Sequence, residues 1–162
     1  MSTSVLSPAD LLAHWQGLRA LSRRVIEAFP EDQLFTFSVG GMRPMGVLAA
    51  EMLGIAVPMV KEIVGGGAQE FSENKAASKA DLLAQWDAAT AELNEWFARI
   101  PAHRFGETVT LFGQYTGTVW SQLFYAIDNE NHHRGQGYVY LRALGIEPPP
   151  FWERGEASAL AS

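Results

Sequence analysis

Four stretches of this chain repeat apolar residues every three or four positions, and each is bracketed by residues that start or stop a helix. The first opens at Ser7-Pro8-Ala9-Asp10, where Ser7 suits the cap and Pro8 the first turn. It carries Leu11, Trp15, Leu18, Val25 and Phe29 and stops before Pro30. The second begins near Arg43-Pro44, runs through Val47, Leu48, Met52, Leu53 and Ile55 to Ile63, and meets Gly65-Gly66-Gly67. Pro58 inside it predicts a kink. Ser78 caps the third, which carries Leu82, Trp86, Leu93, Trp96, Phe97 and Ile100 before Pro101. The fourth starts between Thr116 and Thr118, passes Trp120, Leu123, Ile127, His133 and Tyr140, and ends at Gly145 ahead of three prolines. Between them, Arg104 to Tyr115 reads as a long loop or a short extended piece. Four amphipathic helices bury their apolar stripes together, so the expectation is all-α, a four-helix bundle. One domain over residues 1–154 is expected, followed by a mobile tail over 155–162.

Composition narrows the function classes. The chain is 48% hydrophobic and 19% charged, enough for a sizeable core, and its formal charge is −6. Its lysines and arginines are scattered, with no run longer than Arg23-Arg24, so nucleic acid is not an expected partner. There is no cysteine, which excludes a cysteine nucleophile, a disulfide framework and a thiolate zinc site on this chain. Met1 to Asp10 has neither a basic start nor an apolar segment, and no apolar run approaches the ~20 residues of a membrane span. The expectation is a cytoplasmic protein without a membrane partner.

The densest chemistry lies in Asp128-Asn129-Glu130-Asn131-His132-His133-Arg134-Gly135-Gln136. On a helix Asn129 stands one turn from His133, and Gln122, Ala126, Asn129, His133, Gln136 and Tyr140 form one stripe. Facing inward, those polar groups need partners: a bound ion or ligand, or an internal hydrogen-bond network; partial exposure to water is the other solution. Glu51, among Val47-Leu48-Ala49-Ala50 and Met52-Leu53, must be paired, protonated, metal-bound or exposed. Glu130 and Arg134 have the spacing of an ion pair along one helix. His14 and His103 lie outside any ligand cluster, while Trp15, Trp120 and Trp152 are candidates to line a pocket. The triple glycine lacks the Lys-Ser/Thr of a phosphate loop, and no Gly-x-Ser-x-Gly elbow occurs.

Residues His132-His133-Arg134-Gly135-Gln136, then Tyr140-Leu141-Arg142-Ala143-Leu144-Gly145-Ile146 and the prolines, resemble the closing helix of the DinB/YfiT-like superfamily. Arg43-Pro44-Met45-Gly46-Val47-Leu48-Ala49-Ala50-Glu51 resembles the start of its second helix. The resemblance implies a four-helix bundle, often a homodimer, with a divalent metal held by three histidines. The matching positions here are Glu51, Asn129 and His133, so one histidine of three is kept. Three imidazoles suit Zn²⁺ or Ni²⁺, whereas this harder set shifts preference toward Mn²⁺ or Mg²⁺. Alternatively, Glu51 accepts hydrogen bonds from Asn129 and His133 and the metal is absent.

Some members of the superfamily are metal-dependent transferases that use a low-molecular-weight thiol. The resemblance therefore implies a divalent-metal-binding protein with thiol-dependent transferase activity on a degenerate ligand set. The second reading is a non-catalytic, stress-response small-molecule-binding bundle that has lost the metal, and the third a purely structural dimer.

Overall fold

The computed structural model describes residues 6–65, 67–71 and 75–154. The tail expected over 155–162 and the central glycine of the Gly65-Gly66-Gly67 stop lie outside the described residues. Four long helices carry the architecture: α1 (Pro8–Ala28), α2 (Met45–Val64), α3 (Lys79–Phe97) and α4 (Val119–Ala143). A 3-10 turn (Ala102–Gly106) and a hairpin of β1 (Thr108–Leu111) and β2 (Tyr115–Thr118) join α3 to α4.

Local chemistry sets the helix ends. Ser7 Oγ accepts the Asp10 amide at 3.1 Å while the Asp10 carboxylate accepts the Ser7 amide at 3.1 Å, a reciprocal capping box. Ser78 and Thr118 accept the amides of Asp81 and Ser121 at 3.1 and 3.2 Å. Gly65 (φ 103°) turns the chain out of α2 in a left-handed conformation that a side chain would strain. Pro58 does not end α2, which continues through it.

Two boundaries depart from the sequence reading. The third helix stops at Phe97, and Ile100 reaches the core from the turn that follows. The Arg104–Tyr115 segment and the residues after it form the 3-10 turn and hairpin, so the bundle carries a small antiparallel sheet with Leu111 opposite Tyr115. Phe112 sits at the hairpin tip with φ 51°, a strained choice for a bulky residue. Its amide donates to Glu62 Oε2 of α2 at 3.0 Å, which ties the hairpin to the bundle.

Helix α2 packs against α3 and α4, and α1 packs against the same two, while α1 and α2 barely touch. The helices therefore stand in the ring order α1–α3–α2–α4, and both α1→α2 and α3→α4 cross a diagonal. A diagonal crossing needs more chain than a tight hairpin between neighbours, and the connection from α3 to α4 is the longest of those between the helices. Two apolar clusters fill the bundle. One joins Leu11, Trp15, Val60, Ile63, Phe97 and Leu123; the other joins Val25, Ile26, Met52, Leu53, Trp86 and Tyr140. Between them lie the buried polar side chains Arg19, Ser22, Glu130 and His133. No helix among the described residues is long and apolar enough to cross a membrane.

Candidate functional site

The polar stripe of α4 does face inward, and α2 presents Glu51 to it. His133 is buried at 6% exposure, and its Nε2 lies 3.1 Å from Glu51 Oε1. Asn129 Nδ2 donates to the same oxygen at 3.4 Å and lies 3.2 Å from His133 Nε2. The three residues singled out from the sequence thus meet across the α2–α4 interface. Two proton arrangements satisfy the imidazole. With the proton on Nδ1 it donates to Gln136 Oε1 at 3.0 Å and Nε2 accepts from Asn129; with a proton on Nε2 it donates to Glu51.

The rest of the stripe positions a residue that the sequence reading did not connect to the site. Gln136 Nε2 reaches Met42 Sδ at 3.6 Å, and the Tyr140 hydroxyl donates to the Arg43 carbonyl at 3.0 Å. These bonds hold the approach to α2 so that the Arg43 guanidinium pairs with the other Glu51 oxygen, Oε2. The pairing was not visible in the sequence because Arg43 lies outside the helical period of α2. Burial opposes ionisation of Glu51, but hydrogen bonds from Arg43, His133 and Asn129 outweigh it, and the carboxyl is held below its ordinary range.

Three donor-bearing side chains separated by 3.1–3.4 Å match the edges of a coordination shell around an ion held at about 2.1 Å. The chemistry of the set is less suited. The Asn129 atom turned toward the pair is its amide nitrogen, which is not a ligand, and a guanidinium already neutralises Glu51. No group of three His, Cys, Asp or Glu side chains gathers among the described residues. One observation favours an ion: Asn129 Oδ1 is buried without a partner, and turning the amide over would bring it to the site. The residues do not fit the three-imidazole site implied by the resemblance, and a hard divalent ion such as Mn²⁺ would need the Asn129 amide turned over and Arg43 displaced from Glu51.

Glu51 and Arg43 open onto a cleft of about 650 Å³ between α2, α4 and the hairpin, lined also by Ile55, Tyr115, Gln122 and Tyr125. Gln122 Nε2 donates to the Tyr115 carbonyl at 3.0 Å and fixes the hairpin over the cleft. Trp15 and Trp120 are not on its wall, and Trp152 lies at a different cleft. His14 and His103 are exposed, as expected.

The expected Glu130–Arg134 pair does not form. Glu130 is buried, pairs with Arg19 of α1 and accepts Trp15 Nε1–H at 3.0 Å. Arg134 instead donates to Leu18 O and Ser22 Oγ, both at 3.3 Å, and to Asn131 Oδ1 at 2.8 Å. Burial pushes the Glu130 carboxyl up, against the pull of Arg19 and the Trp15 bond. A signal existed in the sequence: Arg19 shares the stripe Trp15–Arg19–Ser22–Ile26 and so had to point inward and find a carboxylate.

The DinB family model matches residues 1–159. Among solved structures, a DinB-like protein from Bacillus cereus ATCC 10987 aligns with a TM-score of 0.72 at 16% identity, covering 88% of this chain and 95% of that one. The DinB-like protein YjoA from Bacillus subtilis aligns with a TM-score of 0.70 at 19% identity, covering 88% and 97%. At such identities these two structures share the fold. No curated protein matches the sequence. The family match over nearly the whole chain leads to one conclusion: this chain belongs to the DinB family.

Proposed function

We propose that this chain is a metal-independent small-molecule-binding member of its family, using the cleft between α2, α4 and the hairpin. The observation that carries the reading is the Arg43–Glu51 pair on the cleft wall. It offers a ligand both a cation and a carboxylate, backed by Asn129 and His133, while aromatic and aliphatic side chains supply the apolar remainder of the wall. The matching ligand is amphipathic, with a polar head at Arg43–Glu51 and an apolar body beside Ile55, Tyr115 and Tyr125. The expected cytoplasmic location and homodimer are kept as part of this proposal.

The second reading is a weak Mn²⁺ site, favoured by the orphaned Asn129 Oδ1 and the donor spacing. Such an ion would supply Lewis acidity, and the thiol-dependent transferase expectation depends on it. One experiment separates the two. Untagged protein, and its Glu51→Gln and His133→Ala variants, are assayed for metal by elemental mass spectrometry and for stabilisation in a small-molecule thermal-shift screen with and without chelator. Metal-free protein stabilised by compounds regardless of chelator, with the effect lost in Glu51→Gln, supports the first reading. Near-stoichiometric metal lost in both variants overturns it in favour of the second.

A further inference from the structure

Nine arginines occur in this acidic chain. Six form ion pairs with carboxylates: Arg19, Arg23, Arg24, Arg43, Arg99 and Arg104. The other three, Arg134, Arg142 and Arg154, have no carboxylate within ion-pair distance among the described residues, and they gather at one place. Arg134 and Arg142 line a cleft of about 390 Å³ where the segment after α4 folds back along the helix. Arg154 stands close enough to Arg134 to repel its charge.

The cleft is held open by specific contacts. The Tyr138 hydroxyl donates to Pro149 O at 2.7 Å and pins the proline run, and Arg24 donates to Glu153 O at 3.0 Å and anchors the chain beyond it. Arg134 is half-buried, and its three hydrogen bonds all go to neutral acceptors. A partly desolvated guanidinium with no carboxylate in ion-pair contact, feeling only the longer-range pull of a Glu130 already paired with Arg19, is unusual in a chain with carboxylates to spare. Arg142 lies 5.9 Å from the Tyr138 ring centre and leaves its fork exposed. At the rim, Phe151 and Trp152 stand 61% and 69% exposed, edge to face at 5.3 Å. Glu147 also lines the cleft, with no ion-pair partner among the described residues.

We propose that this second cleft binds a small organic anion carrying a planar ring, with its carboxylate or phosphate on Arg134 and Arg142 and its ring against Trp152. Guanidinium forks match both head groups in two-point hydrogen bonding, and an exposed indole offers the ring a stacking face. Glu147 selects ligands that also bring a donor, such as a hydroxyl or ring amine. The site is separate from the Glu51 cleft and shares no lining residue with it.

The test uses the full chain labelled with ¹⁵N, the Trp152 indole signal being assigned by its loss in Trp152→Phe. Benzoate and adenosine 5′-monophosphate are titrated, with benzyl alcohol as the uncharged control. A saturable shift of that signal is expected with at least one anion and not with the alcohol. Arg142→Gln should weaken binding about tenfold or more, the cost of one charge-assisted hydrogen-bonding group. Arg134→Lys, which keeps the charge where Arg134→Gln risks the fold, should weaken it through loss of the fork. Glu51→Gln should leave the affinity unchanged. No saturable shift with either anion in the millimolar range would overturn the proposal, as would equal affinity in Arg142→Gln or an equal response to benzyl alcohol.

Discussion

Replacing Glu130 by Gln removes one charge from the buried pair at the middle of the bundle and keeps nearly the same shape. Arg19 and Glu130 are 0% and 2% exposed, so water cannot take over the lost partner. Arg19 Nη2 is already without a hydrogen bond, and its guanidinium lies 4.2 Å from the Trp86 ring centre, leaving no second carboxylate in reach. Stranding a buried charge in this way costs about 3–5 kcal/mol. At about 2–4 °C per kcal/mol for a chain of this size, the melting temperature should fall by roughly 6–20 °C. Removing both charges, as in Arg19→Met with Glu130→Leu, should be close to neutral or stabilising by about 1–4 kcal/mol, since no stranded ion remains. Urea unfolding followed by circular dichroism, with tryptophan fluorescence as a second probe, measures all three proteins. Burial outweighs the pull of Arg19 and raises the Glu130 carboxyl, and were that rise large enough the group would already be protonated. Glu130→Gln would then be nearly silent. A cost below about 1 kcal/mol, or a double variant as damaged as the single one, therefore refutes the ion-pair reasoning.

Other expectations follow from the same geometry. Glu51 titrates below its ordinary value, so its contribution is present above that value and is lost as pH falls through the lowered one. The stability gap between the parent and Glu51→Gln should close on acidification from pH ~7 to ~3, and a gap independent of pH would contradict the site. Adding a methyl at Gly137 would bring it to 2.8 Å from Met45 Sδ and 3.0 Å from Val25 Cγ1, so Gly137→Ala should cost about 1–3 kcal/mol. Gly135, two residues earlier, faces open space, and Gly135→Ala should stabilise by about 0.4–1 kcal/mol; urea midpoints of the two variants moving in the same direction would refute the assigned helix face. Glu62→Ala removes the acceptor that holds the Phe112 amide, and hydrogen exchange at that amide should accelerate. Unchanged protection there would show that the hairpin is held by other contacts.

The bundle was legible because each helix announces itself locally. Ser7 and Ser78 supply cap oxygens, Gly65 and Gly145 the left-handed exits, and the apolar residues between them keep a helical period. The hairpin was harder, since Thr110, Thr116 and Gly117 carry little apolar alternation and their pairing is settled by cross-strand contacts such as the 2.8 Å bond between the two threonine hydroxyls. The candidate site was legible only through resemblance: Asn129 and His133 are one turn apart on any helix, whereas nothing in the spacing says that Glu51 lies opposite them.

The sequence by itself determined the four helices, their caps and the grouping of polar residues along one stripe of α4, because these depend on backbone geometry and on contacts within a few residues. Tertiary structure alone decided the partners. The ring order of helices set Arg19 rather than Arg134 against Glu130, brought Arg43 onto Glu51, and left Arg134 lining a second cleft with no carboxylate in ion-pair contact. A charge in low-dielectric surroundings takes the counter-charge that packing places within reach, and chain spacing does not measure that distance.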